Sequence, residues 1–207
     1  MVYGGDGDDT LVMKGTRVEK LSGDAGDDRI QVKEGFEASS IYGGDGDDDI
    51  TIESSYFTSF DPADNTTSKL VDGGDGDDTI KVIGGYNYGI FGGAGDDAII
   101  TEGDFVNKVY GGDGDDTIAA TGLMNFRFYG GAGDDDITIN TDYGDELVAP
   151  LFETGDDTIV DKLVDGGDGD DTIAVNGKSN FGIFGGCLLY TSPSPRDQRG
   201  SRMPSSA

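Results

Sequence analysis

The chain has 207 residues, of which 42 are Asp or Glu and 14 are Lys or Arg, so its formal net charge at pH 7 is −28. Nucleic-acid phosphates and anionic membrane surfaces repel so acidic a polymer, and cations are therefore its expected partners. With no His and one Cys, the chain cannot form a zinc-protease motif, a thiol metal site or a disulfide framework.

A glycine-rich acidic string recurs along the chain. Its full form is Gly-Gly-(Asp or Ala)-Gly-Asp-Asp, with an aliphatic residue two places after the last Asp, and it begins at Gly4, Gly43, Gly73, Gly92, Gly111, Gly130 and Gly166. A weaker copy has Asp24 in place of the second glycine, and a decayed copy runs from Phe152 to Asp157. Glycines permit tight turns with positive φ, and carboxylates supply hard oxygen ligands.

The spacing of the string predicts the architecture. Its last Asp falls at Asp9, Asp28, Asp48, Asp78, Asp97, Asp116, Asp135, Asp157 and Asp171, with successive gaps of 19, 20, 30, 19, 19, 19, 22 and 14 residues. A period near nineteen residues is typical of a solenoid, in which each turn packs on its neighbours.

Each turn is predicted to hold two short strands. Alternating runs after the acidic loop, such as Thr79–Val82, indicate half-buried strands. The second strand ends in an apolar residue two places before the next glycine pair: Val2, Leu21, Ile41, Val71, Ile90, Val109, Phe128, Val164 and Ile183. No stretch has a sustained helical period. We therefore predict an all-β fold, a parallel β-roll or β-solenoid of about nine turns with two strands and two loops per turn.

Two irregular gaps and the end of the chain depart from this pattern. The 30-residue gap is interpreted as a loop around Pro62 on the non-acidic side. The 22- and 14-residue gaps sum to 36 residues and together suggest two turns, with the acidic string displaced from its regular spacing around Pro150.

Residues 187–207 change composition in the middle of a repeat, and their back-translation is similar to a transposase-type sequencing-library adapter. We interpret them as a non-native, disordered tail, the alternative being a genuine Ser/Pro/Arg tail or secretion signal, and residues 1–186 as a repeat region truncated at both ends.

Gly4–Val12 fits the pattern Gly-Gly-x-Gly-x-Asp-x-aliphatic and resembles the RTX, or hemolysin-type calcium-binding, repeats. Seven copies match in full, and the turns built on them span residues 1–186. The resemblance implies a parallel β-roll that binds several calcium ions, up to about eight, between stacked loops. Consensus arrays of the family bind ions on both edges, whereas here the second loop of each turn lacks the motif. One row of ions is therefore expected.

The resemblance also implies the ligands. The side-chain ligands would be Asp9, Asp28, Asp48, Asp78, Asp97, Asp116, Asp135, Asp157 and Asp171. The backbone carbonyl ligands would come from Gly4, Gly7, Gly43, Gly46, Gly73, Gly76, Gly92, Gly95, Gly111, Gly114, Gly130, Gly133, Gly166 and Gly169. An all-oxygen set favours a hard cation, and irregular carbonyls suit the flexible coordination of calcium better than the octahedron of magnesium. Facing carboxylates about 4.8 Å apart repel by roughly 3.5 kcal/mol at an effective dielectric constant near 20. We therefore expect a disordered apo chain that folds when calcium binds.

Three further columns follow from the period. The Asp before each last Asp, from Asp8 to Asp170, indicates an outward ladder that attracts cations or only adds solubility. The residue before the glycine pair predicts a stacked aromatic ladder, with a ligand platform as the alternative, at Tyr3, Tyr42, Phe91, Tyr110, Tyr129 and Phe184. The predicted core column is Leu11, Ile30, Ile50, Ile80, Ile99, Ile118, Ile137, Ile159 and Ile173.

The function expected from these features is calcium binding by a segment of a secreted or cell-surface bacterial protein exported by type I secretion. The alternative is the repeat region of a secreted toxin, protease or lipase whose catalytic domain lies outside this sequence. No catalytic or organic-cofactor residue is assigned, no membrane-spanning run is present, and the residues indicate no protein partner. A calcium-dependent ice-binding solenoid is less favoured, because the loop positions that would carry flat Thr or Asn ladders are Asp or Ala except at Thr154.

Overall fold

The computed structural model describes residues 1–14, 17–18, 20–33, 37–38, 40–54, 71–141, 164–176 and 183–184. These residues form strands joined by short loops, and none of them forms a helix that could span a membrane. The strands are β1 (Val2–Asp6), β2 (Thr10–Lys14), β3 (Arg17–Val18), β4 (Leu21–Ala25), β5 (Arg29–Lys33), β6 (Glu37–Ala38), β7 (Ile41–Asp45), β8 (Asp49–Ser54), β9 (Val71–Asp75), β10 (Thr79–Gly84), β11 (Tyr86–Ala94), β12 (Ala98–Asp113), β13 (Thr117–Ala132), β14 (Asp136–Thr141), β15 (Val164–Asp168), β16 (Thr172–Asn176) and β17 (Ile183–Phe184).

All strand pairs are parallel and join equivalent positions of successive turns. Strands that enter an acidic loop stack in the order β1-β4-β7-β9-β11-β12, and strands that leave one stack in the order β2-β5-β8-β10-β12. β12 and β13 run from one acidic loop to the next and therefore belong to both faces. In this register Ile80 lies beside Ile99 and Gly93 beside Gly112. The predicted parallel β-solenoid with a period near nineteen residues is confirmed.

The described strands build about six turns, fewer than the nine expected. One reason is visible between residues 141 and 164. β13 pairs directly with β15, and β14 pairs directly with β16. The 36 residues from Asp135 to Asp171 are therefore one step of the stack, and the expectation of two turns there is wrong. The loop around Asp157, the insertion around Pro62 and the tail 187–207 lie outside the described residues.

The core is a set of parallel columns between the two faces. Because every second residue of a strand points inward, equivalent aliphatic residues stack on one another at the inter-strand spacing. The described members of the predicted Ile column are buried, with Leu11 partly buried at one end and Ile159 outside the described residues. Two further buried columns flank it, Leu21-Ile41-Val71-Ile90-Val109-Phe128-Val164 and Val32-Ile52-Val82-Thr101-Ala120-Ile139-Val175.

The corner opposite the acidic loops is described in the middle turns. Asn87 is fully buried there, and its side-chain amide donates to the carbonyl of Glu102 at 3.2 Å. Since Tyr86 pairs with Phe105 and Phe105 pairs with Met124, the residues just before them, Gly85, Asp104 and Leu123, occupy equivalent positions at this corner. These positions form no acidic ladder, so within the described turns the two corners of the solenoid differ in chemistry.

The aromatic column lies on the outside of the entering strands. The rings of Phe91, Tyr110 and Tyr129 stack with centroids 4.7 Å apart and interplanar angles of 3° and 8°, which confirms the predicted ladder for these three residues. Their faces cover one another, so stacking between turns accounts for them better than a flat ligand does. Tyr3 and Tyr42 instead flank the Lys20 ammonium, which lies 5.5 and 4.8 Å from their ring centroids.

The neighbouring residues Ile99 and Ile100 provide a matched test of the inward and outward faces. Ile99 is fully buried, whereas Ile100 is 40% exposed. Ile99→Ala should lower the free energy of unfolding by about 2–5 kcal/mol, and Ile100→Ala should change it by only about 0.5 kcal/mol. Urea denaturation of both variants in calcium-containing buffer measures the difference. Equal losses of stability in the two variants would contradict the assignment of Ile99 to the inward face and Ile100 to the outward face of the strand.

Candidate metal site

The acidic loops stack on one another through their glycines. The second glycine of the pair and the glycine before Asp-Asp have positive φ, for example 128° at Gly74 and 136° at Gly76. We call each stacked acidic loop with its strands a rung. A Cβ at Gly74 would collide with the carbonyl oxygen of Gly44 in the preceding rung. Only glycine gives both this backbone conformation and this close approach without strain.

The weaker copy of the string forms a regular rung despite Asp24. Asp24 adopts a φ of 83°, which Asp tolerates better than most residues, and its Oδ1 accepts a hydrogen bond from the Ser22 hydroxyl at 2.7 Å. It lies in register with Gly44. The carbonyls of Gly23 and Gly26 therefore belong to the stack, although sequence reasoning left them out of the ligand set. The unchanged spacing from Gly23 to Asp28 was the signal that could have identified them.

The last Asp of each loop forms what we call the inner ladder. Each Oδ1 accepts the backbone N–H of the equivalent Asp in the preceding rung at 2.7–3.1 Å, from Asp9 N–H to Asp28 through Asp135 N–H to Asp171. From Asp28 onward the inner-ladder residues are only 1–2% exposed. These hydrogen bonds hold each carboxylate in one orientation.

The first Asp of each Asp-Asp pair belongs to what we call the outer ladder, whose hydrogen bonds run in the opposite direction along the stack. Each Oδ1 accepts the N–H of the equivalent Asp in the following rung at 2.7–3.1 Å. Its members are exposed to solvent: Asp8, Asp27, Asp47, Asp77, Asp96, Asp115, Asp134 and Asp170. The two adjacent Asp residues of one loop therefore brace both neighbouring rungs, but only one of them carries a buried carboxylate.

The second oxygen of each inner-ladder carboxylate faces another oxygen. Oδ2 is buried and has no hydrogen-bond partner in Asp28, Asp48, Asp78, Asp97, Asp116, Asp135 and Asp171. A Cβ at Gly43 would collide with both Asp48 Oδ2 and the carbonyl oxygen of Gly73 in the next rung. The same pair of atoms recurs between seven pairs of neighbouring rungs, from Asp9 with the Gly23 carbonyl to Asp135 with the Gly166 carbonyl. In six of these junctions, from Asp28 onward, Oδ2 is buried and has no hydrogen-bond partner. A buried carboxylate oxygen without a hydrogen-bond donor requires a proton or a cation beside it.

Burial and crowding perturb the inner ladder electrostatically. Burial is the largest cause and raises the pKa of Asp48 and Asp97 to about 6. It raises the pKa of Asp78, Asp116 and Asp135 to about 7, and neighbouring carboxylates add to the rise although each accepted backbone N–H opposes it. The pKa of Asp28 is raised by the same causes. The protein alone therefore does not compensate these charges.

The other expected ligand carbonyls lie in the same stack. A Cβ at Gly76 would collide with the carbonyl of Gly46, and the equivalent carbonyls of Gly7, Gly26, Gly76, Gly95, Gly114 and Gly133 lie against the next glycine in the same way. Gly4 and Gly169 belong to the two ends of the described stack. Within the described residues, no three acidic side chains converge on one point. An ion at a junction would therefore take most of its ligands from main-chain carbonyls.

The fold and this corner define a class of protein: a parallel β-solenoid with a glycine-cradled ladder of buried carboxylates. A family model described as "RTX calcium-binding nonapeptide repeat (4 copies)" matches residues 1–12, 70–81, 103–122, 127–138 and 163–179. Copies of this RTX calcium-binding repeat are therefore found across the chain, from residue 1 to residue 179. Comparisons with curated proteins and with solved structures found no match.

The raised pKa values predict how stability depends on pH when calcium is removed. Since Asp78, Asp116 and Asp135 titrate near pH 7 when folded and near 4 when unfolded, the folded state binds more protons between these values. The free energy of unfolding should therefore be highest below about pH 4 to 5 and fall as the pH rises through about 7. The far-ultraviolet circular dichroism strand signal, recorded in chelator from about pH 5 to about pH 8, measures this as a folded fraction that falls with rising pH. A stability that increases with pH in chelator would contradict the assignment.

Proposed function

We propose that the acidic corner binds a single row of calcium ions and that these ions keep the solenoid folded. The observation that carries the proposal is the buried Oδ2 of the inner ladder, which at the six junctions from Asp28 to Asp135 has no hydrogen-bond partner and lies near a glycine carbonyl of the next rung. A divalent cation between the two oxygens would replace a repulsive contact with two attractive ones.

The residues of the corner fit calcium. At one junction, Asp48 Oδ2 and the Gly73 carbonyl would be ligands, with further carbonyls from the glycines of the two loops. The hydrogen bond from the N–H of Asp28 to Asp48 Oδ1 keeps that carboxylate turned toward the junction. The donor set is entirely oxygen, which hard cations prefer, and calcium accepts irregular sets of six to eight carbonyl and carboxylate ligands.

A single row of ions is proposed because the two corners differ. Seven junctions of the required kind lie along the acidic corner of the described rungs. The opposite corner stacks Gly85, Asp104 and Leu123, where no carboxylate ladder repeats. Between the described loops the row would hold up to seven ions.

Calcium-dependent folding is supported by the electrostatics of the inner ladder. Burial, with a further contribution from neighbouring carboxylates, raises the pKa of Asp78 and Asp116, so their charged forms oppose the stacking of rungs at neutral pH. A cation removes this cost only in the folded state, because the junction needs two stacked rungs, so its binding free energy adds to folding.

The proposed setting is outside the cell. RTX repeats are typical of secreted bacterial proteins. Extracellular calcium modules work at ion concentrations of about 0.1–1 mM. A chain of this kind would remain unfolded during export and fold where calcium is plentiful. We propose that the chain is a calcium-binding segment of a secreted or cell-surface protein.

The two adjacent Asp residues of one loop provide a matched test of the ligands. Asp78 is 1% exposed and belongs to the inner ladder, whereas Asp77 is exposed and belongs to the outer ladder. Asp78→Asn should remove one or two calcium ions from the stoichiometry measured by equilibrium dialysis and lower the melting temperature in calcium. Asp77→Asn should keep the full stoichiometry. Loss of ions from the Asp77 variant alone would contradict the inner ladder as the ligand row.

Folding should respond to calcium and not to a general divalent charge. Far-ultraviolet circular dichroism in chelator at pH 7.5 should show an unfolded chain, and added calcium should restore the strand signal. The same concentration of magnesium should restore much less, because magnesium requires an octahedral shell and keeps its waters. An unchanged strand signal in chelator would refute calcium-dependent folding.

A further inference from the structure

The third position of the acidic string is occupied by Asp in five described loops and by Ala in the other three. The Asp residues are Asp6, Asp45, Asp75, Asp113 and Asp168, and the Ala residues are Ala25, Ala94 and Ala132. The Asp side chains are exposed, and each is followed by a glycine. Neither the inner nor the outer ladder uses these residues, so their chemistry is separate from that of the ion row.

An Asp-Gly peptide bond carries a specific reactivity. The amide nitrogen of glycine has no side chain beside it and can attack Cγ of the preceding Asp, forming a five-membered succinimide with loss of one water. Water then adds to the main-chain carbonyl of the ring and breaks its bond to that nitrogen. The product is isoaspartate, in which the chain continues through Cγ. No oxidant or cofactor is needed, and the mass of the chain is unchanged.

The folded rung blocks the first step of this reaction. The glycine N–H after each of four of these Asp residues donates to the main-chain carbonyl of the next rung at 2.6–2.7 Å: Gly7, Gly46, Gly76 and Gly114. The Asp itself ends a strand, as Asp75 ends β9. Ring closure requires rotation about the bond from Cα to the carbonyl carbon of the Asp, which would break this hydrogen bond and the strand end together. Attack can therefore occur only when the loop opens.

An isomerised loop cannot return to the stack. Isoaspartate adds one methylene to the main chain at the position where successive loops are in closest contact. At Gly76, even an added Cβ would collide with the carbonyl of Gly46. A longer main chain at Asp75 would therefore displace Gly76 and the Asp-Asp pair from their register.

We propose that the Asp-Gly bonds at the third position of the acidic string are isoaspartate-forming modification sites that the folded solenoid protects. The loops with Ala-Gly at this position are resistant. Loss of the fold starts the modification, and modified loops lose the ability to stack. The proposal depends on the proposed function only where calcium removal is the means of unfolding the chain.

The test compares one protein in three buffers: calcium, chelator, and chelator with guanidinium chloride. Samples are incubated for several weeks at neutral pH, and isoaspartate is located by peptide mapping with electron-transfer fragmentation. Circular dichroism is recorded in parallel. In guanidinium chloride, isoaspartate should accumulate at Asp45, Asp75 and Asp113 roughly tenfold faster than in calcium, since a reaction through an open state follows its population. After calcium is restored, the modified fraction should regain less strand signal and bind fewer ions.

The variant Asp75→Ala is the matched control, because the chain itself has Ala94 at the equivalent position of the next rung. It should fold as the parent does and lose isoaspartate at position 75 alone. Equal isoaspartate in calcium and in guanidinium chloride would overturn the proposal. A chain that is unfolded in chelator by circular dichroism, yet unmodified there, would also overturn it and leave calcium-dependent folding intact. A chain that stays folded and unmodified in chelator but reacts in guanidinium chloride would support it and refute calcium-dependent folding.

Discussion

The contact on which the structure depends is the buried one between Oδ2 of an inner-ladder Asp and the first glycine carbonyl of the next rung. Such an Oδ2, buried and without a hydrogen-bond partner, lies near a glycine carbonyl of the next rung at the six junctions from Asp28 to Asp135. The first glycine of each string is required because a Cβ would occupy this space. The raised pKa of residues such as Asp78 has the same origin, since burial disfavours a charge that the protein does not neutralise. The proposed ion binding, the glycine usage and the predicted pH dependence all depend on this one geometry.

The two residues of each Asp-Asp pair differ in function because the first side chain points to solvent and the second points into the stack of loops. The inner Asp accepts a hydrogen bond from the preceding rung and the outer Asp accepts one from the following rung. Each loop is thus hydrogen-bonded in both directions along the solenoid axis. Only the inner member is removed from water, so a substitution such as Asp→Asn has a different consequence at the two positions although they are adjacent in the chain.

Much of the fold could be predicted because parallel stacking places residues at equivalent positions of the repeat side by side. The Ile column, the entering strands and the aromatic ladder all follow from the nineteen-residue period, and the register of Ile80 with Ile99 agrees with it. The step from Asp135 to Asp171 could not be predicted, because a gap of 36 residues fits either one long turn or two short ones until strand pairing decides. The rung at Asp24 was underestimated, since a positive φ at Asp depends on local hydrogen bonding such as that from Ser22.

The sequence by itself determined which strand residues point inward, the acidic corner and the oxygen chemistry of the proposed ligands, because each of these depends on residue type and period alone. Tertiary structure decided which oxygen of each carboxylate accepts a backbone hydrogen bond and which has no hydrogen-bond partner, because that depends on the direction of hydrogen bonds between rungs. It also decided that Gly23 and Gly26 belong to the stack and that β13 meets β15 directly. Both results come from contacts between residues far apart in the chain, which only the pairing of the strands brings together.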